Sequence, residues 1–234
     1  MKIQILKDWI QESKRIVFFG GAGVSTESGI PDFRSAKGLY QYTPEEMVSH
    51  HYFLQHPQEF YEFYKTKMVY PNAKPNRTHY YLAALEKQGK LSCVITQNID
   101  GLHQMAGSQN VVELHGSVLR NYCMKCHKFY DVHKVLESDV PYCDCGGMIK
   151  PDVVLYEESL KEEDIDRAIY EIANADLLIV AGTSLSVYPA AGMIRYFRGK
   201  HLVLINKTIT SYDASADLVI HDALGNVIKQ LESE

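Results

Sequence analysis

Six short, mostly apolar runs punctuate this 234-residue chain, and each gives way to glycine or polar side chains: Ile16–Phe19, Cys93–Thr96, Val111–Leu114, Leu177–Val180, Leu202–Ile205 and Leu218–Ile220. A strand with one wet face alternates apolar and polar residues. A continuous run must be covered on both faces, as strands of a parallel sheet are. Helical patterns separate the runs, at residues 3–14 (Ile3, Leu6 and Ile10 on one face), Thr78–Lys87, Glu162–Ala173, Pro189–Phe197 and Ala223–Leu231. Gly89 and Gly199 stop two of them. The expected fold is therefore α/β, a Rossmann-like, doubly wound parallel sheet.

Two stretches interrupt that pattern. The first, about Asp32 to Pro75, carries no strand signal and is rich in aromatics. Thr43-Pro44-Glu45-Glu46 reads as a helix capping box, and Pro57 opens a helix bearing Phe60, Tyr61, Phe63 and Tyr64. The second, about Leu119 to Lys150, holds four of the five cysteines. Neither resembles a low-complexity linker, so both are expected to pack against the sheet. With 46% apolar and 23% charged residues the chain can bury a real core, which excludes a disordered or fibrous protein. A net charge of −5 argues against direct nucleic-acid binding. No apolar run approaches the roughly 18–20 residues of a membrane helix. Met1–Gln11, interspersed with Lys2, Lys7 and Asp8, lacks the apolar core of a secretion signal. The expected location is cytoplasmic, with no membrane partner.

Cysteine usage agrees. Cys123-Met-Lys-Cys126 and Cys143-Asp-Cys145 form two tight pairs, suited to grip one tetrahedral zinc, with four free thiols or a redox dithiol as the alternative. Four thiolates leave no position for water or substrate, so such a zinc is structural. His127 and His133 lie nearby as spare ligands, and Cys93 reads as a packed core residue.

The chemistry-bearing residues gather where the apolar runs end. Gly21-Ala22-Gly23 followed by Ser25-Thr26 is expected to enter a helix and bring backbone amides close to a pyrophosphate. By itself this is a weak signal, and no acidic residue ends a second strand about 20 positions on, so a simple dehydrogenase fits badly. Thr96-Gln97-Asn98-Ile99-Asp100-Gly101 offers amides and a carboxylate to a ribose and a carboxamide, or else is a turn with Asp100 as helix cap. Glu113-Leu114-His115-Gly116 places an imidazole, able to take a proton near neutrality, at another strand end. Gly182-Thr183-Ser184 and Asn206 follow two more. Ligands bind at this edge of an open α/β sheet, and one extended dinucleotide site explains all five signals.

Taken together, residues 21–34, 96–103, 113–116, the two cysteine pairs and Gly-Thr-Ser-Leu-Ser-Val-Tyr-Pro-Ala at 182–190 resemble the sirtuin family over nearly the whole chain. The resemblance implies a catalytic domain over 1–234. Within it, 1–31, 76–118 and 151–234 would form a Rossmann-like NAD-binding domain. Residues 32–75 (a helical insert) and 119–150 (a zinc ribbon) would make the small domain.

It further implies that NAD is consumed as a co-substrate. Ala22, Thr26, Phe33 and Arg34 would line its phosphate side, and Gln97, Asn98, Ile99 and Asp100 the nicotinamide ribose. Thr183, Ser184 and Asn206 would face the adenosine half, with Asp222 near the adenine. His115 would be the general base, with Asn98 and Asp100 also catalytic, and Cys123, Cys126, Cys143 and Cys145 would bind zinc. An acylated-lysine peptide would dock along Val153, Val154, Leu155 and Tyr156. The implied chemistry has the acyl-lysine oxygen attack the ribose carbon as nicotinamide leaves, with release of lysine and O-acyl-ADP-ribose. Phe33, on a closing loop, would be the lid against water.

Three positions depart from the family pattern: Gly20 for Thr or Ser, Leu155 for an aromatic, and Glu157 for glycine. Tyr64 and Lys67 fall where some members carry Tyr and Arg that read acidic acyl groups; Lys67 keeps the charge but not the planar fork. The leading expectation is a protein-lysine deacetylase or deacylase. The alternatives are desuccinylase or demalonylase preference, a protein mono-ADP-ribosyltransferase on the same scaffold, and a non-catalytic NAD-sensing or zinc-mediated interaction module.

Overall fold

All six apolar runs become strands of a single parallel sheet. The computed structural model describes residues 1–31 and 44–233. The strands are β1 (Ile16–Gly20), β2 (Leu91–Thr96), β3 (Val111–Glu113), β7 (Leu177–Ala181), β8 (His201–Ile205) and β9 (Leu218–Ile220), in the order β3-β2-β1-β7-β8-β9. Phe19 lies in register between Ile95 and Val180. Successive residues of β1 face opposite ways. Ile16 and Phe18 join Leu6 of α1 (Lys2–Glu12), Leu82 of α5 (Arg77–Lys87) and Val227 of α9 (Leu224–Glu232). Val17 and Phe19 join Ala168 and Ile172 of α8 (Glu162–Ala173) and Met193 and Ile194. Two cores on one sheet are why the runs had to be apolar throughout. Each such side chain withdrawn from water contributes about 1.5–3 kcal/mol.

The strand order reverses between β1 and β7, which splays the connections apart and opens a crevice at the carboxyl ends of these strands. Two local expectations need correction. The segment predicted as a helix over Pro189–Phe197 is a 3₁₀ helix over Ala190–Tyr196. Gly192 lowers its α-propensity, and Ala190, Ala191, Met193 and Ile194 are pressed flat onto the sheet. The glycine loop does not enter an α-helix either. It continues as two 3₁₀ turns, Ala22–Val24 and Thr26–Ser28.

Most of the remaining described elements form a second lobe. It contains α2 (Pro44–Met47), α3 (His50–Gln55), α4 (Pro57–Lys67) and α7 (Val132–Leu136). With them is an antiparallel sheet ordered β5-β4-β6, from β4 (Gly116–Cys123), β5 (Phe129–Tyr130) and β6 (Ile149–Val153). This sheet starts three residues before Leu119 and ends three after Lys150, so it is wider than the cysteine-bearing stretch. A third core, with Phe53, Phe60, Tyr61 and Tyr64 from the helices against Val118, Val135 and Ile149, fuses the insert to the cysteine module. Tyr61 donates its hydroxyl to the Ile149 carbonyl across that junction. A short α6 (Leu102–Met105) completes the described helices.

Candidate active site

A cleft of about 620 Å³ runs along the carboxyl edge of the large sheet and under the second lobe. Its floor is the glycine loop. Gly23 N–H donates to Gly182 O at 2.8 Å, and a Cβ on Gly23 would lie 2.7 Å from the Gly182 Cα, so the β1 and β7 loops meet only as glycines. That contact holds the loop as tight turns and leaves Ala22 and Thr26 on the cleft wall.

The end of β2 supplies a hydrogen-bonded group. Ser25 Oγ donates to Asp100 Oδ2 at 2.6 Å and accepts from Asn98 Nδ2 at 3.1 Å. Asp100 Oδ1 accepts Leu102 N–H at 2.9 Å. Asp100 thus closes a turn onto Leu102 and lines the cleft; the cap of α6 is Gly101, one residue beyond the Asp100 that was expected. Gln97 Nε2 donates to Thr183 Oγ1 at 3.2 Å, and Asn206 Nδ2 to Thr183 O at 3.1 Å, linking β2, β7 and β8.

His115 stands at the turn between β3 and β4. Gly116 follows it at φ +75°, where a Cβ would lie 1.8 Å from Asp152 O, so only glycine makes this turn. His115 Nδ1 is 2.9 Å from the Gln97 carbonyl. A carbonyl only accepts, so Nδ1 carries the proton and Nε2 of the neutral ring is left as an acceptor. Burial pushes the His115 pKa below its usual 6.5, partly opposed by the bond to Gln97, so the ring is neutral at pH 7. Behind it, Arg120 bridges Glu113 at 2.7 Å and Asp152 at 2.9 Å, and Lys161 adds a 3.0 Å contact to Asp152. This network ties β3, β4, β6 and the approach to α8 together around the turn.

Ala22, Thr26, Gln97, Asn98, Ile99, Asp100, His115, Thr183, Ser184, Asn206 and Asp222 line this one cleft, and so do Val153, Val154, Leu155 and Tyr156. Phe33 and Arg34 lie outside the described residues. The sequence motifs did not reveal Ser25 as the hub of the β2-end network, nor Val48, Met68 and Tyr70, which the second lobe brings over the cleft. Ser25 stood inside the glycine-loop motif; the other three had no motif to find them by. Lys207 and Tyr188 also line it, beside the strand-end residues that were found.

In the second lobe the four Sγ atoms of Cys123, Cys126, Cys143 and Cys145 all lie within 4.8 Å of one another. The 123–145 and 126–143 pairs are 3.4 and 3.5 Å apart. Four thiolates at about 2.3 Å from one zinc would be about 3.8 Å apart, so the set fits a tetrahedral ion with small adjustments of these distances. His127 and His133 are not part of the cluster.

The Sir2 family model matches residues 21–189, a span that includes the glycine loop, the β2 end, His115 and all four clustered cysteines. The chain belongs to the Sir2 family. Over 97% of both chains it is 62% identical to an NAD-dependent protein deacetylase of Clostridium perfringens (strain 13 / Type A). It is 47% identical to an NAD-dependent protein deacetylase of Staphylococcus aureus (strain N315), over 99% of this chain and 98% of that one. A solved Sir2 structure with a p53 peptide and NAD+ shares 41% identity and a TM-score of 0.88, covering 99% of this chain and 97% of the other. Another, with a deacetylated p53 peptide and 3′-O-acetyl ADP-ribose, reaches 0.90 at 41% identity with the same coverage.

Within this Sir2 fold, the pair suggested for reading acidic acyl groups is not assembled. Lys67 lines the cleft, but Tyr64 is fully buried, stacked on Phe60 at 5.7 Å, with its hydroxyl unpartnered. The i, i+3 spacing brings the two residues near each other on α4. The aromatic core then claims the tyrosine, and burial raises its pKa well above 10.

Proposed function

We propose that this chain is an NAD-dependent protein-lysine deacetylase, with His115 as general base and the cleft as the shared site for NAD and an acyl-lysine peptide. The observation that carries the proposal is convergence: the ends of β1, β2, β3, β7 and β8 and the segment 153–156 line one cavity, with a neutral imidazole among them. When bound, NAD supplies a ribose carbon that nicotinamide can leave and an acyl oxygen can attack.

The chain's own part is to bind, orient and shield. Amides at the Gly21–Gly23 turn and Thr26 hold the phosphates. Asn98 and Asp100, steadied by Ser25, orient the ribose hydroxyls. His115 Nε2 takes a hydroxyl proton while Nδ1 stays anchored to Gln97 O. Thr183, Ser184, Asn206 and Asp222 hold the adenosine end. Cleft walls such as Ile30, Ile99 and Leu155 keep water from the reacting carbon. Residues 153–156 take the peptide as an added strand. The four cysteines bind one structural zinc. In the same reading, 1–31, 76–118 and 151–234 form the Rossmann-like NAD-binding domain, with 32–75 a helical insert and 119–150 the zinc-binding module.

The peptide partner is acylated at lysine, and solved Sir2 structures with acetylated and propionylated peptides support that choice. A thiolate cluster suits the reducing cytoplasm, and no described helix is long and apolar enough to cross a membrane. The test is mass spectrometry of products from NAD and a panel of acyl-lysine peptides. Free lysine peptide, nicotinamide and O-acyl-ADP-ribose in equal amounts are expected. ADP-ribose attached to protein, without O-acyl-ADP-ribose, would replace the proposal with ADP-ribosyl transfer.

A further inference from the structure

Two consecutive glutamates at the lip of the cleft are gripped by two consecutive histidines. Glu157 Oε1 lies 2.6 Å from His51 Nδ1, and its Oε2 accepts the His51 backbone N–H at 3.0 Å. Glu158 Oε1 lies 2.7 Å from His50 Nδ1, while its Oε2 accepts from Lys150 Nζ at 3.0 Å and from Leu155 N–H at 2.8 Å. Main-chain bonds run alongside. His50 N–H donates to Tyr156 O at 2.9 Å, and Tyr156 N–H to Val48 O at 3.1 Å. The start of α3 and the segment 153–158 are thereby joined into one unit.

Glu157 is the unusual member. Its φ is +77°, in the left-handed region that a Cβ disfavours and glycine occupies freely. Such a conformation persists only where the surroundings over-determine it. Here both carboxylate oxygens are engaged by one residue of another element. The pair is also half-exposed, 49% for Glu157 and 52% for His51, so it adds little to global stability. A strained turn held by a contact that barely stabilises the fold points to a local task. That turn follows the segment 153–156, and Glu157 itself lines the cleft.

We propose that Glu157, clasped by His51, is a positioning residue that fixes the end of the peptide-docking segment and so sets the affinity for the acyl-lysine peptide. The inference rests on the deacetylase reading and names a determinant of its peptide site. The His51–Glu157 contacts themselves involve none of the residues assigned above to NAD.

The experiment is steady-state kinetics of the full-length chain with NAD and an acetyl-lysine peptide. Glu157→Ala keeps the disfavoured backbone but loses the clasp, and peptide KM should rise about fivefold or more. NAD KM should stay within about twofold, a split that general loosening of the fold would not produce. Glu157→Gln retains an oxygen for the His51 N–H and should restore most of the affinity. Glu157→Gly removes strain and clasp together; a raised peptide KM there assigns the effect to the clasp. His51→Ala combined with Glu157→Ala should be no worse than either alone, the non-additivity of a shared contact. Unchanged peptide KM in both Glu157→Ala and Glu157→Gly, an equal rise in NAD KM, or additive effects would overturn the inference while the deacetylase reading stands. A wild-type chain that consumes no NAD with any acyl peptide would overturn both.

Discussion

In the parallel sheet, Phe19, Ile95 and Val180 lie side by side, fully or almost fully buried, and apolar packing accounts for the layer. The second lobe has no such sheet. Its three strands include one of two residues, and its core is a cluster of rings: Phe53, Phe60, Tyr61 and Tyr64. Opposite the rings stand four clustered thiols. The large lobe is held by area removed from water, whereas the small one needs a cross-link, because a lobe of that size buries too little surface to hold itself. The difference extends to function. Groups that touch NAD in the proposed mechanism come mostly from the rigid edge of the large lobe. The lobe with the weaker core contributes the wall over the cleft, where adjustability is least costly.

Metal removal is the largest expected way to break this comparison. A structural zinc contributes on the order of 10 kcal/mol to local folding. Chelation should therefore unprotect the amides of β4 and β6 in hydrogen exchange while β1, β2 and β7 remain protected. Simultaneous loss of protection in both sheets would mean that the lobes are one cooperative unit. His115→Ala comes next. It should lower deacetylation by about 10²–10⁴-fold, leaving zinc content and the near-ultraviolet circular dichroism unchanged. Undiminished turnover would remove the imidazole from the mechanism.

The smallest effect concerns pH. His79 and His103 are fully buried behind the Asp100 turn, and burial pushes their pKa values down to about 4 and about 3. His115 is lowered in the same direction. All three fold as neutral rings, while the unfolded chain takes up protons near pH 6.5. Their contribution is complete above 6.5 and is lost as pH falls from 6.5 toward 4 and 3. Urea midpoints should drop between pH 7.5 and pH 5, and the acid limb of kcat/KM should lie below 6.5. Neither nitrogen of His103 has a partner, so His103→Leu should flatten the stability profile. A midpoint independent of pH in wild type would contradict the buried neutral state.

Legibility followed the same division. The six strands of the large sheet could be read because most residues in them are buried, and Cys93 was read as core for the same reason. Strands β4 and β6 went unread. Pro151 sits inside β6, and proline argues against a strand unless it lies at an edge, as β6 does in the order β5-β4-β6. The alternation Ile149, Pro151, Val153 inward with Lys150 and Asp152 less buried was present but masked by it. Tyr64 was misjudged because helical spacing shows which residues share a face, not what that face meets. The glycine loop's turns were missed because Gly182, distant in sequence, shapes them.

Periodic burial, the close spacing of the cysteines and the strand-end polar groups are local facts, and they were enough to specify a doubly wound sheet, a metal-ligand set and a family. Contacts between distant segments decided the rest. The Gln97 carbonyl selects the His115 tautomer, and an aromatic cluster withdraws Tyr64 from the cleft. His51 reaches across to hold Glu157 in a backbone conformation that its own residue type disfavours. Such contacts join groups far apart along the chain, and their geometry exists only once both layers of the fold have packed.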